Sequence, residues 1–121
     1  MSRPRAILSS CALNGKIYAI GGVVGDSRRS MKSAAYVEIY DPITDKWIKG
    51  TEMLMPRAGL GICSVNDRIY VIGGGEIANG DAPMKWAEAL PLVEEYNPEG
   101  DQPVSNQGKL SITWGELRKI R

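Results

Sequence analysis

The chain of 121 residues is long enough for one ordinary domain, and its hydrophobic fraction of 43% is typical of a globular protein. Fifteen basic residues face 14 acidic ones, so a formal net charge of +1 predicts no nucleic-acid or acidic-membrane partner. No apolar stretch approaches the ~20 residues that span a bilayer, and no secretory signal is visible. We therefore expect the cytosol if Met1 is the true start, and the compartment stays open if the chain is part of a longer protein.

An internal repeat divides the chain into two similar copies. Residues 1–22 align with residues 53–74 at a shift of 52, and twelve of these 22 positions are identical. Residues 37–42 then align with residues 93–98 at a shift of 56, so the intervening loop is four residues longer in the second copy. A period of about 50 residues indicates stacked structural units. We therefore predict a first blade over residues 1–52, a second over residues 53–102 and a tail over residues 103–121.

Each copy contains short β-strand patterns in the same order. In the first copy these patterns cover residues 8–13, 16–20, 36–40 and 46–48. The pairs Asn14-Gly15 and Asn66-Asp67 separate the first two strands of each copy and predict two-residue hairpins. In the tail, residues 109–114 predict the outer strand of the second copy, and residues 116–121 a short helical or irregular end. Four antiparallel strands in each of two copies are typical of β-propeller blades.

Glycine and aromatic positions in both copies resemble the kelch repeat. Its signature is an apolar strand that ends in a glycine doublet, followed by a tyrosine and a tryptophan separated by six residues. The matching residues are Gly21, Gly22, Tyr40 and Trp47 in the first copy, and Gly73, Gly74 and Tyr96 in the second. The second copy departs from the pattern at Pro103, and Trp114 in the tail is a candidate replacement for the missing tryptophan. The tail is also similar to the closing segments of some bacterial kelch arrays.

The resemblance implies an all-β fold of two four-stranded antiparallel kelch-type blades, an incomplete β-propeller with a short C-terminal tail. Independently of any family, the glycine pairs permit positive φ or close backbone approach, and the aromatic residues suit packing between blades. Propellers close with four to eight blades, so two blades leave both inter-blade faces bare. Either the missing blades lie in a longer chain or copies associate, as three chains would in a six-bladed ring. Of these two alternatives we favour the fragment.

The two cysteines and the absence of histidine predict no metal and no cofactor. Cys11 and Cys63 lack CxxC spacing, and no imidazole is available to complete a usual zinc site. Both cysteines occupy equivalent strand positions, where we expect small buried apolar side chains. A disulfide between them is the alternative.

Four arginines are the candidate binding residues. Arg5 and Arg57 each follow a proline and precede an innermost strand, so stacked blades would bring them near the propeller axis, where guanidinium groups bind carboxylates or phosphates. The alternative is that each satisfies carbonyl groups or an acidic residue of an adjacent blade. Arg28 and Arg29 make the first long loop basic, which a solvated loop explains equally well.

These features predict a non-catalytic binding or scaffolding module for a protein or carbohydrate ligand. Similar folds include galactose oxidase-like copper enzymes, but the absence of histidine removes the usual copper ligands and the commonest general base. A sialic-acid epimerase-like site would need arginines and carboxylates meeting at the axis, of which two blades supply only part. A purely structural role in closing a larger propeller is the third alternative. We therefore name no catalytic residue.

Overall fold

The structure, a computed structural model, describes residues 1–27, 30–77, 86–89, 92–98 and 117–119. Its strands are β1 Ser9–Leu13, β2 Lys16–Ile20, β3 Val23–Val24, β4 Lys32–Ser33, β5 Val37–Asp41, β6 Lys46–Lys49, β7 Gly61–Val65, β8 Arg68–Ile72, β9 Gly75–Ile77, β10 Trp86–Ala89, β11 Leu92–Tyr96 and β12 Leu117–Lys119. Across these ranges, no helix is long and apolar enough to cross a membrane.

The strands form two four-stranded antiparallel sheets, one from each repeat. The first sheet has the order β1-β2-β5-β6, and the second has the corresponding order β7-β8-β11-β12. Two-stranded ribbons, β3-β4 and β9-β10, lie within the long connections between the second and third strands of the sheets. This arrangement confirms the prediction of an all-β chain made of two blades of an incomplete propeller.

Tight turns join the first two strands of each sheet. Asn14 and Gly15 have φ of 51° and 75°, and Asn66 and Asp67 have φ of 50° and 61°. Positive φ at both central residues defines a type I′ turn, whose twist matches that of antiparallel strands. The two predicted hairpins are thus confirmed.

The outer strand of the second sheet differs from the sequence prediction. β12, Leu117–Lys119, pairs with β11, and Arg118 lies opposite Val93. The helical or irregular end predicted for residues 116–121 is therefore wrong for Leu117–Lys119, because the free edge of β11 offers hydrogen-bond partners that an irregular end would leave unused. The predicted strand over residues 109–114, including Trp114, lies outside the described residues.

The main core lies between the two sheets. Side chains alternate between the faces of a strand, so each sheet directs one set of apolar residues toward the other sheet. These contact faces consist of Tyr18, Ile20, Val37 and Ile39 in the first sheet and Ile69, Val71 and Tyr96 in the second, all buried. The rings of Tyr18 and Tyr96 meet edge to face with centroids 6.0 Å apart. The core is therefore an inter-blade interface.

A glycine permits the closest backbone approach across this interface. Gly21 follows β2 with φ of +67°, and a Cβ placed there would lie 2.5 Å from the carbonyl oxygen of Arg57. The neighbouring amide of Gly22 donates to that same oxygen at 2.8 Å. Any side chain at Gly21 would push the sheets apart.

Candidate functional site

Arg5 is buried in the segment that precedes β1, and its guanidinium group binds acceptors of the first repeat. Nη1 donates to the carbonyl oxygens of Gly21 at 2.8 Å and Tyr36 at 3.1 Å, and Nη2 donates to that of Ala19 at 3.3 Å. Nη2 also pairs with Glu38 at 3.0 Å. Four acceptors from one repeat therefore surround this guanidinium group.

Arg57 occupies the corresponding place in the second sheet. Its Nη1 donates to the carbonyl oxygen of Gly73 at 3.2 Å, and its Nη2 lies 2.9 Å from a carboxylate oxygen of Glu94, with both side chains fully buried. Buried charges in proteins are found paired because desolvation of a lone charge is costly. The repeat thus reproduces an arginine–glutamate pair.

Each glutamate also fixes the chain segment that begins its repeat. Glu38 accepts from the backbone amide of Ser2 at 2.8 Å, and Glu94 accepts from that of Leu54 at 2.7 Å. Burial would raise the pKa of Glu38, but the Ser2 amide and the Arg5 charge lower it below its usual value. Burial raises the pKa of Glu94, although its hydrogen bonds and Arg57 act in the opposite direction. The two carboxylates have equivalent partners, an arginine and a backbone amide of the same repeat, and Glu94 is the more deeply buried of the two.

The structure brings the predicted arginines into these pairs and not into one shared cluster. The acidic partner of each belongs to its own repeat, whereas the alternative inferred from the sequence was carbonyl groups or an acidic residue of an adjacent blade. Glu38 and Glu94 were not recognised as partners, although both are identical at the aligned positions of the two copies. Ligand binding by Arg5 and Arg57 stays a prediction.

The signature aromatic residues lie on different surfaces in the two sheets. Tyr96 is buried between the sheets, whereas the rings of Tyr40 and Trp47 pack against each other on the opposite side of the first sheet, tilted by 35° with centroids 5.0 Å apart. The Tyr40 hydroxyl donates to Asp45 at 2.7 Å. A cleft of about 640 Å³ lies beside Trp47 and is bounded in part by Met1.

The ribbons of the two repeats meet at one end of the sheets. The backbone amide of Ile77 on β9 donates to the hydroxyl of Ser33 on β4 at 2.6 Å. Ile77 also packs with Val23 of β3 and with Ala58 in a second small buried cluster. We call the surface formed by β3, β4 and β9 the ribbon surface.

The first ribbon carries the basic loop identified in the sequence. The Ser30 hydroxyl donates to Asp26 at 2.6 Å, and the amides of Asp26 and Ser27 donate to the Ser30 hydroxyl oxygen. Arg28 and Arg29, between these residues in sequence, lie outside the described residues. Beside this ribbon is a cleft of about 240 Å³, whose lining includes Arg5 and Met31.

Neither cysteine forms a disulfide. Cys11 is half-buried and Cys63 is exposed, and both are free thiols. Burial raises the pKa of Cys11 to about 11, and the nearby Cys63 contributes to this increase to a smaller extent. Within the described ranges, no three histidine, cysteine or acidic side chains are grouped as metal ligands would be.

Comparisons with known proteins identify the class to which this geometry belongs. A family model for the kelch motif matches residues 4–54. Kelch-like protein 25 of Xenopus tropicalis is 34% identical over 95 residues, covering 78% of this chain and 15% of that protein. Kelch-like protein 26 of Danio rerio is 30% identical over 104 residues, covering 84% of this chain and 16% of that protein. The solved structure of YjhT superimposes with a TM-score of 0.54 at 30% identity, over 59% of this chain and 21% of that one.

These matches and the paired sheets establish the chain as a kelch-repeat protein. The motif match covers the first repeat, which carries the full signature. The chain spans only 15% to 16% of the length of these curated relatives.

Proposed function

We propose that the chain is a protein-interaction module that binds its partner through the ribbon surface. The observation that supports this proposal is the Ser33–Ile77 hydrogen bond, which joins the long connection of the first repeat to that of the second in one surface. The connections that contain the ribbons differ in length and sequence between the repeats, whereas the sheets keep their strand order. Binding residues lie disproportionately on such loops above a rigid scaffold.

The composition of the first ribbon favours an acidic protein segment as the partner. Lys32 is exposed on β4, Met31 is half-buried beside the cleft, and Arg28 and Arg29 belong to the same connection. Lys32 follows Met31 directly in sequence, so an exposed positive charge lies next to a residue that lines the cleft. An extended segment with acidic and apolar residues would suit this combination. The carboxylate of Asp26, which lies in this loop, already accepts from Ser30.

We propose binding and not catalysis because the strongest candidate arginines already have internal partners. Arg5 and Arg57 are buried against Glu38 and Glu94. A sugar-acid substrate at either guanidinium would have to displace a carboxylate of the same repeat. Lys32 on the ribbon surface is exposed, so a ligand can reach it from solvent.

A random peptide display library and a glycan array, each probed with the purified chain, test this proposal. We expect enrichment of acidic peptides and no retained glycan. Lys32→Glu should weaken binding of an enriched peptide about tenfold through charge reversal, whereas Lys46→Glu on exposed β6 is the matched control and should bind normally. Selective glycan binding, or equal peptide binding by wild type and Lys32→Glu, would refute the proposed site.

A further inference from the structure

The equivalent residues of the two repeats differ sharply in burial, according to which side of each sheet is covered. Ile20 of the first sheet is 0% exposed, whereas its counterpart Ile72 in the second is 44% exposed. The difference reverses on the other side, where Ile69 is 0% exposed and its counterpart Ile17 is 39% exposed. The two sheets therefore use opposite faces to meet each other, and each leaves part of its remaining face exposed, which we call its open face.

The open faces repeat the chemistry of the contact faces. Strand registers place Ile17, Tyr40 and Trp47 side by side on the open face of the first sheet. They also place Tyr70 on the same face as Ile72 in the second sheet, as Tyr18 and Ile20 share a face in the first. Each open face is therefore the repeat counterpart of a face that is covered inside the chain.

The segment that leads into each repeat shows the same asymmetry. Met53 is 4% exposed and packs into the inter-sheet core near Gly21, while its counterpart Met1 is 47% exposed. The Met53 amide also donates to the carbonyl oxygen of Ala35, between β4 and β5 of the first repeat, at 2.9 Å. Met1 is therefore the exposed repeat counterpart of a residue that is buried between two sheets.

We propose that copies of this chain dock head to tail, with the open face of the first sheet in one copy covering the open face of the second sheet in the next. The contact inside the chain is the template for this docking, so Tyr40 of one copy would meet Tyr70 of the next as Tyr96 meets Tyr18. Because the two surfaces differ, the contact is heterologous. Such contacts form a closed assembly only if successive copies complete a ring. Two to four copies would supply the four to eight blades of a propeller.

The second open face also contains an ion pair that docking would enclose. Arg68 donates to Glu95, and Glu95 replaces the apolar Ile39 of the first sheet. Since Arg68 and Glu95 already pair with each other, docking would not bury either of these two charges without its partner. A ring therefore satisfies both the apolar and the charged residues of this surface.

The solution mass of wild type and of two face variants tests the docking. Light scattering should give a discrete mass of two, three or four times 13.2 kDa for wild type. Ile72→Lys should raise the dissociation constant at least about tenfold by placing a charge in the contact. Ile43→Lys is the matched control, because Ile43 is 93% exposed in the turn between β5 and β6, and this variant should keep the wild-type mass.

A mixing experiment distinguishes head-to-tail docking from other association. Ile72→Lys blocks the second open face and Ile17→Lys blocks the first, so each variant alone should be monomeric, while an equal mixture should form a dimer through the two intact faces. Far-UV circular dichroism verifies folding, and Val65→Lys serves as a second variant on the same face if Ile72→Lys fails to fold. A monomeric wild type, an indefinite aggregate, association that survives Ile72→Lys, or a mixture that stays monomeric would overturn the proposal.

Discussion

Substitution of equivalent isoleucines in the two repeats measures directly which sheet faces are covered. Ile20→Ala and Ile72→Ala remove the same three carbon atoms from the ends of corresponding strands, β2 and β8. Removal of three buried carbons costs about 2.4 kcal/mol of transfer free energy, at about 0.8 kcal/mol for each. Ile20 loses this entire contribution because it is 0% exposed, and the cavity left between the sheets raises the cost to about 3–4 kcal/mol.

Ile72→Ala should cost much less in the single chain. With 44% of Ile72 exposed, the transfer contribution falls to about 1.3 kcal/mol, and a half-open site leaves no enclosed cavity. Urea denaturation followed by far-UV circular dichroism gives both free energies of unfolding, at a concentration at which light scattering shows the chain to be monomeric. Equal costs for the two variants, within about 0.5 kcal/mol, would refute the assignment of contact and open faces.

Three further predictions concern a glycine, a carboxylate and a thiol. Gly21→Ala should destabilise the chain by about 3 kcal/mol or more, whereas Gly15→Ala, with no atom within 4 Å of the added Cβ, should cost only the ~1–2 kcal/mol of its left-handed backbone, as urea midpoints would show. Because the folded pKa of Glu38 is lowered, its contribution to stability is present above the unfolded pKa and is lost as pH falls through the folded pKa, so Glu38→Gln should flatten the acid side of the stability profile. Limited alkylation near pH 8 followed by mass spectrometry should modify exposed Cys63 well before Cys11, whose pKa of about 11 leaves little thiolate, and equal modification would contradict its burial.

The sheets were predictable from sequence because their signals are local. The Asn14-Gly15 turn fixes a hairpin through the φ preferences of two residues, and the repeat then transfers the assignment to Asn66-Asp67. Strands such as β3 and β4, with two residues each, contain too few positions to show periodicity and were not predicted. Local sequence patterns therefore predict the four-stranded sheets but not the two-stranded ribbons in their long connections.

The arginine–glutamate pairs depend on contacts distant in sequence and were predicted only in part. Arg5 and Glu38 are separated by 33 residues, and no local spacing rule joins them. The usable signal was that an arginine and a glutamate are each identical in both copies, at aligned positions. Which sheet faces are buried could not be predicted from the sequence either. Ile20 and Ile72 are the same residue type at the same position of the motif, and they differ only in what lies opposite them.

Arg57 connects the two repeats, because its backbone binds the first and its side chain binds the second. Its backbone amide donates to Ala34 at 3.2 Å and its carbonyl oxygen accepts from Gly22 at 2.8 Å, while its side chain holds Gly73 and Glu94 of the second sheet. The duplicated sequence unit is therefore not an independent folding unit. Loss of either sheet would leave bonding groups of Arg57 without their partners, so the blades should melt in a single cooperative transition. An exchanged repeat must therefore match its predecessor as well as its own strands.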